Sequence, residues 1–359
     1  MEKYRIIDLF CGCGGISVGF ELTKKCKVIG AIDFNEQACE TYRLNFPSSK
    51  VLCGDITQIS VSDTEFKNVD IIVGGPPCQG FSALNRHNKD LENDPRNVLF
   101  FQFIRFVKEL QPKAIMIENV RQILTSKQGY AKNTICQILD ELGYNIDYKV
   151  LNASDYGVPQ KRMRAVFVGI RKDIGRFDFN VLTKKAVKLK TTVDEAFEDL
   201  YPIEKLDCKI SDHEIDSSIT NSYLRIMHDG TSMIHNHLMQ YPNKRVQNRI
   251  SYVKEGENWR SVPEELFPSH RNNRHSNYLR RLDGKGLSIT VDTGHDVYFH
   301  PRFNRVPTVR ETARIQSFPD SFVFTGTRTQ QLRQVGNAVP PLMAKAIAES
   351  IMEVLDEKK

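Results

Sequence analysis

Along the first half of the chain, near-continuous apolar runs alternate with segments of helical spacing. "YRIIDLF" at residues 4–10 reads as a strand and "GGISVGFELTKK" as the helix after it. "KVIGAID" and "NEQACETYRLNF" repeat the pair, and "KVLCGDI" and "VDIIVGG" add two strands. "RNVLFFQFIRFVKEL" reads as a further helix, with "KAIMIENV" as the strand that follows. Strands apolar on both faces, separated by helices, predict an α/β fold with a doubly wound, mostly parallel sheet. After "RAVFVGIRKD" the texture changes, and residues 173 to about 300 are polar and loop-rich. "TVRETARIQSF" and "PPLMAKAIAESIMEVLDEKK" return to helical spacing. The pattern therefore predicts one α/β domain, a second irregular domain, and a final amphipathic helix whose docking it leaves open.

A chain of 359 residues, 40% hydrophobic and 26% charged, has the composition of an ordinary soluble globular protein of one or two domains. No apolar run approaches the roughly 20 residues that span a bilayer, and "MEKYRIIDLFCGCGG" lacks the layout of a signal peptide. A cytoplasmic protein without a membrane partner is expected. The net charge of +6 permits a polyanionic partner without requiring one. Its distribution is more informative. Thr191–Asp216 carries nine Asp and Glu against Lys205 and Lys209, whereas Lys244–Lys285 carries ten Lys and Arg against five acids. For a charge run taken by itself, an ordinary solvated insertion is the better reading.

The eight cysteines contain no C-x-x-C pair, so neither structural zinc nor a disulfide framework is expected. Most should be small buried apolar residues. The histidines of "IHNH" read as structural, and no metal is expected.

Chemistry gathers where the predicted strands end. In "DLFCGCGG", Gly12, Gly14 and Gly15 relieve crowding where a strand turns into a helix, letting backbone approach a ligand. The next glycine is Gly19, so a dinucleotide fingerprint is not met. Asp33 ends the second strand about 20 residues on, where an acid can accept ribose hydroxyls. Asp55 adds a second acid on the same edge. These residues predict a nucleoside site, and the carboxylates argue against a pyrophosphate.

Cys78, in "GGPPCQGFS", follows two prolines that cannot donate to a sheet ladder. It should lie just beyond a strand end, as a nucleophile rather than packing. Glu118 in "IMIENV" ends the next strand on the same edge, where it is either a cap or a functional carboxyl. Gln160, Arg162 and Arg164 alternate in "PQKRMR", so all three can point one way. An arginine beside a cleft thiol favours the thiolate.

Taken in order, "DLFCGCGG", "GGPPCQGFS", "ENV", "PQKRMR", "RETARIQSFPD" and "QVGNAVP" resemble the DNA (cytosine-5) methyltransferase family. The resemblance covers residues 4 to about 172 and about 278 to 350, and the segment between corresponds to that family's variable target-recognition region. It implies a fold of the S-adenosylmethionine-dependent methyltransferase type. It also implies a discontinuous catalytic domain, 1–180 plus 330–359, interrupted by a target-recognition domain at 181–329, with helix 341–357 packed on the former.

The resemblance implies methyl transfer from S-adenosyl-L-methionine to cytosine C5. Cys78 would attack C6, Glu118 would hydrogen-bond N3 and the amino group, and Arg162 would orient the base. Phe10, Gly12, Gly14, Asp33, Phe34, Asp55, Ile56, Pro77 and Asn337 would line the cofactor site. Double-stranded DNA is the implied partner, with the cytosine flipped out. Ser82, Arg86 and Lys89 in the loop after Cys78, together with Arg164, would touch nucleic acid. So would Arg271, Arg274, Arg280 and Arg281 in the basic stretch. A monomer of the bacterial modification type is expected, with room for a partner restriction endonuclease. The alternatives are an RNA cytosine-5 methyltransferase of the same fold, whose Cys-Phe-Thr tripeptide is not found here, and a catalytically silent DNA-binding regulator. A nicotinamide-dependent oxidoreductase would need the glycine fingerprint that is missing.

Overall fold

The computed structural model describes residues 3–77, 98–205, 210–267, 279–291 and 298–357. The chain forms two compact units, the first made of residues 1–156, 163–187 and 338–359 and the second of 157–162 and 188–337. The boundaries differ from those expected. Residues 181–187 stay with the first unit, whereas 157–162 and 330–337 belong to the second.

The first unit is built on seven strands: β1 (Tyr4–Leu9), β2 (Cys26–Asp33), β3 (Lys50–Cys53), β4 (Ile71–Gly74), β5 (Ala114–Val120), β6 (Tyr144–Asn152) and β7 (Met163–Arg171). They form one sheet in the order β3-β2-β1-β4-β5-β7-β6. The strands from β3 to β5 are parallel, and β7 runs antiparallel to both β5 and β6. This is the doubly wound, mostly parallel sheet that the apolar runs predict. Helices α1 (Gly15–Glu21), α2 (Glu36–Asn45), α3 (Val98–Leu110), α4 (Tyr130–Glu141) and α5 (Phe179–Lys184) complete it with the C-terminal helix Pro341–Asp356. The apolar pattern did not predict α4 and β6. "KVLCGDI" is a strand only through Cys53, after which the chain turns.

The register aligns the functional edge. Leu9 pairs with Ile32 of β2 and Gly74 of β4, and Gly74 pairs with Ile117 of β5. Phe10, Asp33, Gly75 and Glu118, each one residue further on, therefore emerge along a single edge. Packing on α3 holds that edge still. Its helical spacing buries Phe100, Phe103, Phe106 and Val107 against a core that includes Ile7, Ile72, Ile115 and Ile117. Fully burying each such side chain contributes about 1.5–3 kcal/mol.

α1 packs against the C-terminal helix at van der Waals limits. A Cβ on Gly15 would lie 2.4 Å from the Val339 carbonyl oxygen, and one on Gly19 would lie 2.5 Å from both Ala344 Cβ and the Pro341 carbonyl oxygen. These two glycines therefore serve helix packing. At the far end, the Tyr4 hydroxyl donates to Asp356 at 2.7 Å.

The second unit contains α6 (Val193–Phe197), α7 (Ser222–His228), α8 (Lys244–Ser251), α9 (Val309–Ile315) and α10 (Arg328–Asn337). Two short strand pairs join them, β8 (His213–Glu214) with β9 (Met233–Ile234) and β10 (Arg280–Arg281) with β11 (Tyr298–Phe299). Every residue of α9 is buried, and Thr308 and Glu311 close a capping box at its start. Its charges are matched in place. Arg305 pairs with Glu204 at 2.6 Å and Glu311 at 2.8 Å, and Arg314 pairs with Asp320 at 2.7 Å and with Asp199. A buried charge that lost such a partner would cost about 3–5 kcal/mol. No helix among the described residues is long and apolar enough to cross a membrane.

Candidate active site

At the end of β1 the chain turns through three left-handed residues, Phe10 (φ 60°), Gly12 (φ 53°) and Gly14 (φ 101°), the last capping α1. The Gly12 amide donates to Asp33 Oδ2 at 2.8 Å and the Asn35 amide to Oδ1 at 2.9 Å. Asn35 then caps α2 by accepting from the Ala38 amide. Asp33 is thereby fixed in direction, and burial raises its pKa above the ordinary aspartate value. Phe34 beside it is 80% exposed and offers a bare aromatic face to a flat ring. Beneath the turn, Asp8 accepts from the Ser17 hydroxyl at 2.7 Å, and Ser17 is hydrogen-bonded to Tyr42. Burial pushes Asp8 up to about 7.

Asp55 is exposed and accepts from the Thr57 amide at 2.9 Å, capping the turn that contains buried Ile56. Arg105 of α3 secures this turn through Nη2, which donates to the Ile56 and Ile59 carbonyls at 2.9 and 2.8 Å. Nothing in the sequence marked Arg105, since it reads as one charge on an amphipathic helix. The edge combines acids, an exposed aromatic ring and a glycine turn whose Gly12 amide is already engaged. That set suits a neutral or cationic nucleoside better than a diphosphate.

Two strands further on, β4 ends at Gly74, where a Cβ would lie 2.2 Å from the Leu9 carbonyl oxygen. Asn119 Nδ2 donates to the Pro76 carbonyl at 2.9 Å, which ties the Pro-Pro segment to the end of β5. Pro77 is exposed. Cys78, Ser82, Arg86 and Lys89 lie outside the described residues. Glu118 and Arg164 form an ion pair, Nε to Oε1 at 2.9 Å, with 17% and 11% of the arginine and glutamate side chains exposed. Arg164 pairs with Val120 and Val166 with Glu118, so both charged side chains share one face of the sheet. Arg164 was expected to touch nucleic acid; the structure engages its guanidinium with Glu118 instead.

Within the second unit, Arg162 is buried and donates Nη2 to the Gly336 carbonyl at 2.9 Å. Gln160 accepts from the Val291 amide at 3.0 Å and donates to Ile315 and Gln316. Gln316 in turn donates to the Val335 carbonyl at 2.9 Å. Residues 157–162 are thus laced to the end of α10, whose last residue, Asn337, is exposed.

The assignment of Arg281 to nucleic-acid contact is corrected here. Its side chain is 5% exposed, and it donates to the carbonyls of Val253, Ile250 (2.8 Å), His300 (3.0 Å) and Phe303 (3.1 Å) and to Asn304 Oδ1 (2.7 Å). It is an internal strut with its donors already used. Arg280 is half-buried beside it, and Arg271 and Arg274 lie outside the described residues. Among the described residues no group of three or more His, Cys, Asp or Glu is arranged to hold a metal ion.

The family model for C-5 cytosine-specific DNA methylase matches residues 4–353. The Type II methyltransferase M.DdeI of Desulfomicrobium norvegicum is 37% identical over 371 residues, covering 96% of this chain and 88% of that protein. M1.HphI of Haemophilus parahaemolyticus, also a Type II methyltransferase, is 37% identical over 352 residues, covering 97% and 86%. The crystal structure of an Escherichia coli protein, described as a prophage-encoded DNA modification methyltransferase, superposes with a TM-score of 0.81 at 28% identity, covering 99% of this chain and 100% of that one.

Proposed function

As the chain belongs to the C-5 cytosine-specific DNA methylase family, we propose that it methylates cytosine C5 within one short duplex sequence, as a Type II modification enzyme using S-adenosylmethionine. The observation that carries this reading is the Glu118 carboxylate, held by Arg164 at 2.9 Å on the strand whose Asn119 tethers the segment entering Cys78.

Cytosine C5 is a weak nucleophile. Addition of the Cys78 thiolate to C6 places electron density on C5 and N3, and Glu118 stabilises that charge by hydrogen bonding at N3 and the exocyclic amino group. Arg162 orients the base. Once C5 carries the transferred methyl group, loss of its proton to a base would expel the Cys78 sulfur and restore the ring. The cytosine must leave the helical stack to meet these groups, at a cost of roughly a few kcal/mol.

The cofactor supplies an electrophilic methyl group when bound. Asp33 is directed to accept ribose hydroxyls, and Phe34 covers the adenine. Asp55 and Ile56 hold the edge of that ring, while Phe10, Gly12, Gly14, Pro77 and Asn337 complete the residues assigned to it. The second unit is assigned target recognition, with Arg280 the described member of its contact set.

The test is transfer of labelled methyl from S-adenosylmethionine to unmethylated mixed-sequence duplex DNA, comparing wild type with Cys78→Ala and mapping the product base by base. Label on C5 of cytosine in a single short context, lost in the variant, is the expected result. Label on RNA alone, or cofactor binding without label on DNA, would overturn the reading in favour of an RNA enzyme or a silent binder.

A further inference from the structure

Two cysteines that take no part in the reaction above meet at the nucleoside edge. Cys39 lies in α2 and is completely buried, whereas Cys53 is the last residue of β3 and is exposed. Parallel pairing makes Cys53 the register partner of Asp33. The Cys39 thiol donates to the Asp33 carbonyl at 3.5 Å, and the Gly54 amide, one residue past Cys53, donates to the same oxygen at 2.9 Å. Burial, and after it the neighbouring Cys53 side chain, raise the Cys39 thiol above its ordinary pKa. One backbone carbonyl thus joins the pair to the acid assigned to the ribose. Phe34 lies on one side of the junction, and Gly54 and Asp55 lie on the other.

Resting on the cofactor reading above, we propose that Cys39 and Cys53 form a reversible disulfide whose formation weakens binding of the nucleoside cofactor. The accessible sulfur is that of Cys53. With a peroxide as oxidant, the Cys53 thiolate attacks one oxygen, the O–O bond breaks, and Cys53 becomes a sulfenic acid as the second oxygen leaves as water. The Cys39 sulfur then displaces the sulfenic oxygen as a second water, so two thiols lose two electrons and two protons in total. Burial pushes the Cys39 thiol up, which keeps it a hydrogen donor to Asp33 in the reduced protein. The disulfide removes that donor and pulls the end of β3 toward α2. This displaces the residues on either side that face the ribose and adenine.

The experiment uses the full chain treated with hydrogen peroxide, with peptide mass mapping of cross-links and calorimetric titration of S-adenosylhomocysteine. The expected result is a peptide joining residues 39 and 53, together with roughly tenfold weaker binding. A dithiol reductant should reverse both, and Cys53→Ser should retain full affinity after the same treatment. A 39–53 cross-link with unchanged affinity would overturn the proposal, as would oxidation of Cys53 without a cross-link. Absence of binding by the reduced wild type would instead remove the cofactor reading on which the affinity effect rests, while mass mapping still decides the cross-link.

Discussion

Arg164 on β7 holds Glu118 on β5 across one antiparallel pairing, Nε to Oε1 at 2.9 Å, with both side chains largely shielded from water. A carboxyl group that must meet a base edge gains direction from such a clamp. Arg164→Met is expected to lower kcat by about 10–100-fold, short of the roughly 100–10,000-fold that a general acid itself contributes. Arg164→Lys, which keeps the charge, should restore part of the activity. Steady-state kinetics of the two variants checks this; equal losses in both would reduce Arg164 to packing.

Phe34 makes the opposite case, a side chain left 80% exposed at the nucleoside edge. Phe34→Ala should change stability by no more than about 0.5 kcal/mol, as for other surface positions. Affinity for S-adenosylhomocysteine should fall about tenfold with the lost ring contact. Paired thermal melts and calorimetry would show it, and equal affinity would release Phe34 from the site.

At Gly74 the space is closed by backbone. A Cβ 2.2 Å from the Leu9 carbonyl oxygen has no flexible neighbour to displace. Gly74→Ala should therefore separate β1 from β4 and cost at least about 3 kcal/mol. Chemical denaturation would measure the loss, and a variant as stable as wild type would contradict the packing described.

Neighbouring arginines in β10 should behave differently. Arg281→Ala strips a buried guanidinium from several carbonyls and should destabilise the second unit by about 3–5 kcal/mol. Arg280→Ala should leave stability nearly unchanged and lower the slope of DNA affinity against salt by about one. Melts and binding isotherms at several salt concentrations separate the two roles.

Acid should loosen the second unit first. Burial lowers His237 to about 4 and His300 to about 3, so both stay neutral in the folded unit while the unfolded chain protonates them near 6.5. Their contribution is complete above about pH 6.5 and is lost as pH falls toward 4. Asp199, held at about 2, adds a loss below about pH 4. Asp8 in the first unit, raised to about 7, acts with the opposite sign over pH 4 to 7. The protection factors of the α9 amides, corrected for the slower intrinsic exchange in acid, should therefore fall between pH 7.5 and 5, and protection independent of pH would refute the assignment.

The sheet was legible because strands covered on both faces read as unbroken apolar runs, and the strand ends then located Asp33 and Glu118, whereas Phe10 came only from the family resemblance. β6 was not, because as an edge strand it carries Asn145, Asp147 and Lys149 at half-buried positions that break the run. Arg281 was misread for a related reason. A charge run shows sign but not depth, and a buried arginine bound to carbonyls looks in sequence like one facing phosphate. The second unit's hold on Gln160 and Arg162 was invisible because it depends on hydrogen bonds to residues 315, 316 and 336, far along the chain.

The tight fit of Gly15 and Gly19 against residues 339–344 also bears on how the protein is made. The face of α1 that those residues cover leaves the ribosome roughly 20–60 s before its cover at ordinary elongation rates. During that interval an apolar helix face in the first unit has no native partner. Nascent chains stalled before residue 338 should therefore bind holdase chaperones, and release of the final helix should end that dependence.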